Sequence, residues 1–225
     1  MICLVTDRRR LVGSAASPEA WRRCLIAQAR FAAEAGVDLV QVRERDLAAA
    51  DLAAVVRAIR AVVRGTGTRV IVNDRLDVAL ACGADGVHLR SDSISASDVR
   101  RIAPRGLLIG RSIHSIGEAM SASGIDYLIA GTVFPSPSKP DATALVGVDG
   151  LRAIVRAVRV PVLAIGGVTE ARVDAIAQAG AAGCAAIGLF MSEAGGSECE
   201  TCRAMPLYDR VARVRQRFDT VKTAS

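Results

Sequence analysis

Short apolar runs alternate with longer amphipathic stretches along the chain. We interpret the apolar runs as strands buried on both faces, as in a parallel sheet that is covered by helices. These runs are Ile2–Thr6, Leu39–Arg43, Arg69–Asn73, Gly86–Leu89, Leu107–Gly110, Tyr127–Ala130, Val162–Ile165 and Cys184–Ile187. The stretches between them have helical periodicity, most clearly at Pro18–Ala35, Leu47–Val63, Leu151–Val158 and Glu170–Ala179.

Eight strands, each followed by a helical stretch in units of about 28 residues, predict an α/β fold, a single-domain (βα)8 TIM barrel. An open doubly wound sheet would tolerate the same units, so the prediction depends on the count of eight. With 225 residues the chain is short for such a barrel, and the helices after strands three and four should be brief. We expect one domain over residues 1–225, with a barrel core at about 2–190 and a C-terminal loop and last helix at about 192–221.

Composition and charge narrow the class of protein. Hydrophobic residues make up 51% of the chain, yet no apolar run approaches the ~20 residues of a membrane helix. The N-terminus lacks a signal-peptide pattern, so we expect a cytoplasmic protein without a membrane partner. A net charge of +6 would suit nucleic acid, but the arginines are scattered and only 3% of residues are aromatic. The charge better fits a small anionic substrate, and a homo-oligomer is left open.

Two of the six cysteines, Cys199 and Cys202, have the spacing of a redox or metal-binding pair. No second pair and no neighbouring histidine accompanies them, and they lie in a Gly/Ser-rich segment. The other cysteines lie mostly in apolar surroundings, where a free thiol acts as a small hydrophobe.

Polar side chains follow the predicted strands, at the edge where active sites of such barrels lie. Strand two ends in Gln41, Arg43 and Arg45, which alternation places on one face. An amide and two guanidinium groups together predict a phosphate or diphosphate site, and the alternative is a solvated or internally paired strand end.

Two carboxylates follow strands three and four. Asp74 comes after Asn73, and Asp92 follows the fourth strand. Neighbouring carboxylates that face arginines suit Mg²⁺, which takes few protein ligands and fills its shell with water and substrate. The spacing allows equally that each aspartate caps the following helix.

Hydroxyls, a histidine, a lysine and glycines follow the later strands. Ser112 and His114 follow strand five on one face, where the histidine could transfer protons near neutral pH. After strand six, Ser136, Ser138 and Lys139 lie in a Ser/Pro loop. They are either ligands of a phosphate or part of a solvated loop. Glycines after strands seven and eight, including Gly167 and Gly188, let backbone N–H groups approach a phosphate.

Taken together, these segments resemble the thiamine-phosphate synthase and thiazole tautomerase family over about residues 2–190. The motifs that carry the resemblance are Gln41-Val-Arg-Glu-Arg, Asn73-Asp-Arg-Leu-Asp-Val-Ala, Gly83-Ala-Asp-Gly-Val-His-Leu, Gly110-Arg-Ser-Ile-His-Ser, Gly131-Thr-Val-Phe-Pro-Ser-Pro-Ser-Lys and Ala164-Ile-Gly-Gly-Val. The resemblance implies a (βα)8 barrel that couples hydroxymethylpyrimidine diphosphate to a thiazole phosphate with release of diphosphate.

The same resemblance implies roles for individual residues. Asp74 and Asp92 would hold Mg²⁺. The diphosphate or the pyrimidine would be bound by Gln41, Arg43, Arg45, Asn73, Ser112 and Lys139. Ser136 and Ser138 would contact thiazole or diphosphate oxygens, and the thiazole phosphate would lie against Gly167, Ile187 and Gly188. Of these residues, Arg43, Ser112 and Lys139, together with His114, are the expected catalytic residues.

Several positions depart from the synthase pattern. Arg45 replaces the usual lysine, serines 136 and 138 replace threonines, and Arg90-Ser91 replaces Gly-Gln near the pyrimidine. The segments at 43–45 and 110–115 look more like the thiazole tautomerase branch. There, the histidine matching His114 would aromatise a carboxythiazole phosphate without a metal. A phosphate-binding barrel without activity is the third alternative.

Overall fold

The computed structural model of the protein describes residues 1–135, 145–191 and 200–223, with side chains in the last segment from 207 to 220. Eight parallel strands, β1 to β8, form a closed barrel in which each strand pairs with the next and β8 pairs with β1. The predicted (βα)8 TIM barrel is confirmed, and the doubly wound alternative is excluded because β1 and β8 are hydrogen-bonded partners.

The strands and helices alternate along the chain. The strands are β1 (Ile2–Val5), β2 (Leu39–Val42), β3 (Arg69–Asn73), β4 (Gly86–Leu89), β5 (Leu108–Ile113), β6 (Tyr127–Gly131), β7 (Val162–Ile165) and β8 (Gly183–Ala186). The helices are α1 (Arg8–Val12), α2 (Pro18–Glu34), α3 (Ala49–Val63), α4 (Leu76–Ala81), α5 (Ala96–Ile102), α6 (Ile116–Ser121), α7 (Gly147–Ala157), α8 (Val173–Gln178) and α9 (Glu200–Thr223).

The strands are continuous apolar runs in the sequence because both of their faces are buried. Alternate residues point into the barrel, where eight side chains form one compact cluster. They are Cys3, Val5, Leu39, Ile71, Tyr127, Ile129, Leu163 and Ala185. The other strand residues pack outward against the helices in a larger core. This two-sided burial removes the apolar–polar alternation of a half-exposed strand.

Some helices differ from the predictions at their ends. Helices α4 and α5 are brief, as expected, with 6 and 7 residues. The stretch 170–179 divides into a 3₁₀ turn, Glu170–Arg172, and the short helix α8. Helix α1 was not predicted, because five residues are too few to show a period; Asp7 caps it by accepting a hydrogen bond from the Arg10 N–H at 3.1 Å.

The last helix, α9, completes the ring of helices. It packs against α2 and α8, and it buries Leu207, Val211, Val214 and Phe218 against the barrel. Among the described residues, none of the helices combines the length and the apolar composition that a bilayer crossing requires.

Candidate active site

A cavity of about 1000 Å³ opens at the carboxyl ends of the strands. Most of the predicted site residues line it, although they come from six different strand ends. Those residues are Gln41, Arg43, Arg45, Asn73, Asp92, Ser112, His114, Gly167, Ile187 and Gly188. Asp74 is not among the lining residues, and Ser136, Ser138 and Lys139 lie outside the described residues.

Two guanidinium groups, those of Arg43 and Arg45, follow the end of β2 and line the cavity. Glu44, between them, points away from the cavity and accepts hydrogen bonds from Thr6 Oγ1 at 2.8 Å and Arg8 Nη1 at 3.1 Å. Within the described part of the chain, no carboxylate forms an ion pair with Arg43 or Arg45. Burial, and then the neighbouring charge of Arg45, lower the pKa of Arg43. The charges of Asp7 and Glu44 oppose this shift, but neither carboxylate forms a direct ion pair with Arg43. A partly desolvated cation without a direct ion pair is suited to bind an anion.

At this strand end the backbone of Arg43 is fixed, and the side-chain amide of Gln41 is buried. Thr6 Oγ1 accepts a hydrogen bond from the Arg43 N–H at 2.9 Å, which fixes the start of the arginine's side chain. Gln41 is only 3% exposed and lines the cavity, and its Nε2 has no hydrogen-bond partner in the structure. A buried amide left unpaired is costly unless a ligand pairs with it. Gln41 therefore has a donor available for a ligand in the cavity.

Ser112 is held by a buried histidine from the neighbouring strand. The Ser112 hydroxyl lies 2.9 Å from His88 Nε2, and the His88 ring stacks on Tyr127 with centroids 5.6 Å apart. Burial lowers the pKa of His88 to about 3, so the ring is neutral. His88 Nδ1 is buried without a hydrogen-bond partner. The tautomer with its hydrogen on Nε2 is favoured, because it leaves only a lone pair of Nδ1 unpaired, whereas the other tautomer would leave a buried N–H unpaired. In the favoured tautomer Nε2 donates to Ser112, whose own proton can go to an anion.

The buried His88 should make stability depend on pH. The unfolded chain protonates this histidine near its ordinary pKa of 6.5, whereas the native state resists protonation down to a pKa of about 3. The unfolded state therefore binds more protons in this window, and stability falls as pH falls through it. Between about pH 6.5 and pH 5 we expect a loss of about 2 kcal/mol, measured by urea unfolding.

The variant His88→Gln provides the comparison for this prediction. It lacks the titrating ring but keeps a side-chain N–H that can donate to Ser112. Other titrating groups, such as Glu44, whose pKa is raised by burial, are common to both proteins and cancel in the difference. An equal loss of stability in wild type and variant between about pH 6.5 and pH 5 would contradict the prediction.

His114 lines the cavity and has one of its two ring nitrogens fixed by a hydrogen bond. Its Nδ1 contacts the carbonyl oxygen of Gly131. A carbonyl only accepts, so Nδ1 carries the hydrogen, and Nε2 is left with a free lone pair. Ser115 caps α6 by accepting a hydrogen bond from the Glu118 N–H at 3.2 Å, so capping needs no contribution from His114. This arrangement is that of an available base.

The carboxylates after β3 and β4 are joined by an arginine. Arg90 Nη2 lies 2.5 Å from Asp92 Oδ2, and Arg90 Nη1 lies 3.8 Å from Asp74 Oδ2. Asp74 has a φ of 64° and accepts a hydrogen bond from Ser93 Oγ. Neither aspartate caps a helix: α4 begins without a side-chain cap, and Ser95 caps α5. The capping alternative is therefore wrong for both residues.

These carboxylates are oxygen ligands of the type that Mg²⁺ prefers, and two suffice for that ion. No group of three or more His, Cys, Asp or Glu residues within the described ranges could hold a metal. The Arg90 guanidinium now provides the positive charge near both carboxylates. A magnesium ion would fit this donor set only if Arg90 moved aside.

The loops after β7 and β8 form the opposite wall of the cavity. Gly167 has a φ of 62°, and a Cβ there would lie 2.5 Å from the carbonyl oxygen of Pro135. Only glycine is compatible with both conditions. Arg172 donates to the Gly167 carbonyl at 2.7 Å, and Arg210 donates to the carbonyls of Leu189 and Met191 at 2.8 and 3.2 Å. These arginines fix the shape of both loops.

Sequence reasoning missed three arginines of this wall: Arg10, Arg172 and Arg210 also line the cavity. The run of three arginines after β1 was the one available signal for Arg10.

The cysteines provide no site among the described residues: Cys3, Cys82 and Cys184 are buried free thiols, and burial raises the pKa of Cys184 to about 12. Cys199 and the Cys202 side chain lie outside the described residues.

Comparison with known proteins agrees with this geometry. Residues 4–190 match a family model described as thiamine monophosphate synthase. The thiamine-phosphate synthase of Methanoregula boonei is 42% identical over 84% of this chain and 87% of its own length, and that of Methanoculleus marisnigri is 41% identical over 83% and 88%. The solved thiamine phosphate pyrophosphorylase from Pyrococcus furiosus superposes with a TM-score of 0.77 at 30% identity, covering 98% of this chain and 96% of that one. The chain belongs to the thiamine monophosphate synthase family.

Proposed function

We propose that the protein is a thiamine-phosphate synthase, which joins hydroxymethylpyrimidine diphosphate to a thiazole phosphate and releases diphosphate. One observation carries the proposal: unpaired Arg43 and Arg45 share one cavity with the glycine loops that contain Gly167 and Gly188. The cavity thus has room for two anionic groups, the diphosphate beside the end of β2 and the thiazole phosphate beside the loops after β7 and β8. The names of the relatives support the same reaction.

In this reaction the bond between the pyrimidine methylene and the diphosphate oxygen breaks, and its electron pair leaves with the diphosphate. The thiazole nitrogen then forms the new bond to that methylene. The aminopyrimidine stabilises the intermediate cation, so no nucleophilic side chain is required. Arg43, Arg45 and the Ser112 hydroxyl would stabilise the negative charge that grows on the leaving group. Gln41 and Asn73 would position the pyrimidine, and Ser136, Ser138 and Lys139 stay predicted ligands.

We also propose Asp74 and Asp92 as the ligands of Mg²⁺. When bound there, the ion would neutralise part of the diphosphate's charge. Because Arg90 now interacts with both carboxylates, the ion must compete with the guanidinium. The cytoplasmic location and a homo-oligomeric state stay predictions.

Removing this arginine should tighten magnesium binding. In Arg90→Ala both carboxylates lose their cation, and we expect at least a tenfold lower dissociation constant for Mg²⁺ in calorimetry, since relief of one close like charge is worth about 1.4 kcal/mol or more. Arg101→Ala, which removes an exposed guanidinium paired with Asp98, is the control for net charge. Equal affinities in Arg90→Ala and Arg101→Ala would contradict the competition.

The decisive experiment measures diphosphate release from both synthase substrates, with and without Mg²⁺. Metal-dependent release that is lost in Asp74→Asn supports the synthase and its metal site. Release without a metal requirement supports the synthase and argues against these ligands. No turnover in this assay or in an isomerase assay leaves a phosphate-binding barrel without activity.

The second candidate is a thiazole tautomerase, and the geometry of His114 favours it. With Nδ1–H directed at the Gly131 carbonyl, Nε2 could remove and return a proton of a carboxythiazole phosphate. Isomerisation by the wild type that His114→Ala abolishes, together with no diphosphate release, would replace the synthase assignment.

A further inference from the structure

The three consecutive arginines after β1 have different surroundings. Arg8 and Arg9 each form an ion pair with Asp46, with N–O distances of 2.6 Å. Arg10 is also exposed, but it lines the cavity. Its Nη2 would lie 3.5 Å from a Cβ built on Gly188, so the guanidinium lies beside the backbone of the loop after β8.

Arg10 has no acidic partner in the described ranges, whereas the other arginines at this wall are occupied. The nearby Asp7, which also lines the cavity, accepts from the backbone N–H of Arg10. Arg210 forms an ion pair with Glu170 at 3.1 Å and donates to two carbonyls. Arg172 donates to the Gly167 carbonyl and stacks on the Phe134 ring at 4.9 Å. Arg10 is thus a cation with unused donors beside a glycine loop.

We propose that Arg10 binds the phosphate group of the thiazole substrate and so selects the phosphorylated ligand. The inference rests on the proposed function, which places that phosphate against Gly167 and Gly188. Backbone N–H groups of a glycine loop neutralise only part of a phosphate's charge of nearly −2. A guanidinium adds a full positive charge and two parallel hydrogen-bond donors. A phosphate can use both, whereas the uncharged hydroxyl of a thiazole alcohol without phosphate cannot.

The test compares two ligands, the thiazole phosphate and the same thiazole alcohol without phosphate, by calorimetry. We expect Arg10→Ala to weaken binding of the phosphate at least tenfold and to leave binding of the alcohol within twofold. Arg9→Ala is the matched control, because it removes an adjacent arginine of the same helix that is 63% exposed and paired with Asp46. Its affinities should stay within twofold of wild type for both ligands.

Two results would overturn the inference. In one, Arg10→Ala binds the phosphate as tightly as wild type does. In the other, it loses both ligands equally, which indicates a structural role. The assay of diphosphate release tests the proposed function separately. Tight, Arg10-dependent binding of the thiazole phosphate without diphosphate release would support the phosphate site and contradict the synthase assignment. A wild type that binds neither ligand overturns both.

Discussion

Arg43→Ala should lower kcat/KM for diphosphate release by about 10²–10³-fold. The Arg43 guanidinium is half-buried, has no acidic partner among the described residues, and is fixed at its backbone by Thr6. It therefore already has the position and the desolvation that an ion-pairing group needs when the leaving diphosphate gains charge. Alanine removes an interaction that strengthens towards the transition state, so kcat should decrease more than KM changes.

Two variants control this experiment. Arg69→Ala removes an exposed arginine at the start of β3, the opposite end of the barrel, and should retain kcat/KM within twofold. Arg43→Lys keeps the charge but not the planar pair of donors, and should recover only part of the activity. Activity of Arg43→Ala within threefold of wild type would remove Arg43 from the site.

Gly110→Ala should destabilise the protein by about 3 kcal/mol and greatly reduce its activity. A Cβ at Gly110 would lie 2.1 Å from Cζ of Tyr127, whose side chain is only 2% exposed inside the barrel. The ring cannot move without disturbing His88, on which it stacks and which holds Ser112. The free energy of unfolding in urea and the rate of diphosphate release should therefore fall together.

Gly117→Ala is the matched control from the next helix. A Cβ at Gly117 would meet only Ser115 Oγ, at 3.9 Å. Because alanine is the better helix former, this variant should be as stable as wild type or more stable by about 0.5–1 kcal/mol. The double variant Gly110→Ala/Tyr127→Leu should regain part of the lost stability, because it removes the ring that clashes. Unchanged stability in Gly110→Ala would contradict the packing described here.

The barrel could be predicted from the sequence because its strands are defined by local composition. Parallel strands covered by helices need apolar residues on both faces, and such runs are easily recognised. The short elements could not be predicted in the same way. Helix α1 has five residues, and the turn at Glu170–Arg172 is held by ion pairs of Glu170 with α9 that no local period records.

The candidate site was predictable where residues extend a strand, and less so where they follow a turn. Gln41, Ser112 and His114 continue the inward alternation of β2 and β5, so their common cavity followed from strand order. Asp74 comes after its strand with a left-handed φ of 64°, and it interacts with Ser93 and Arg90 rather than lining the cavity. Such turns depend on tertiary contacts between loops, which spacing does not show.

Helix α9 supports the loops of the cavity through Arg210, which lines the cavity, and through Arg213, which does not. Arg210 holds the carbonyls of Leu189 and Met191, while Arg213 and Arg210 share Glu170 beside the loop after β7. Helix α9 therefore maintains the conformation of the loops to which the phosphate is proposed to bind. Because the same helix buries Leu207, Val211, Val214 and Phe218, its packing couples the shape of these loops to the stability of the barrel.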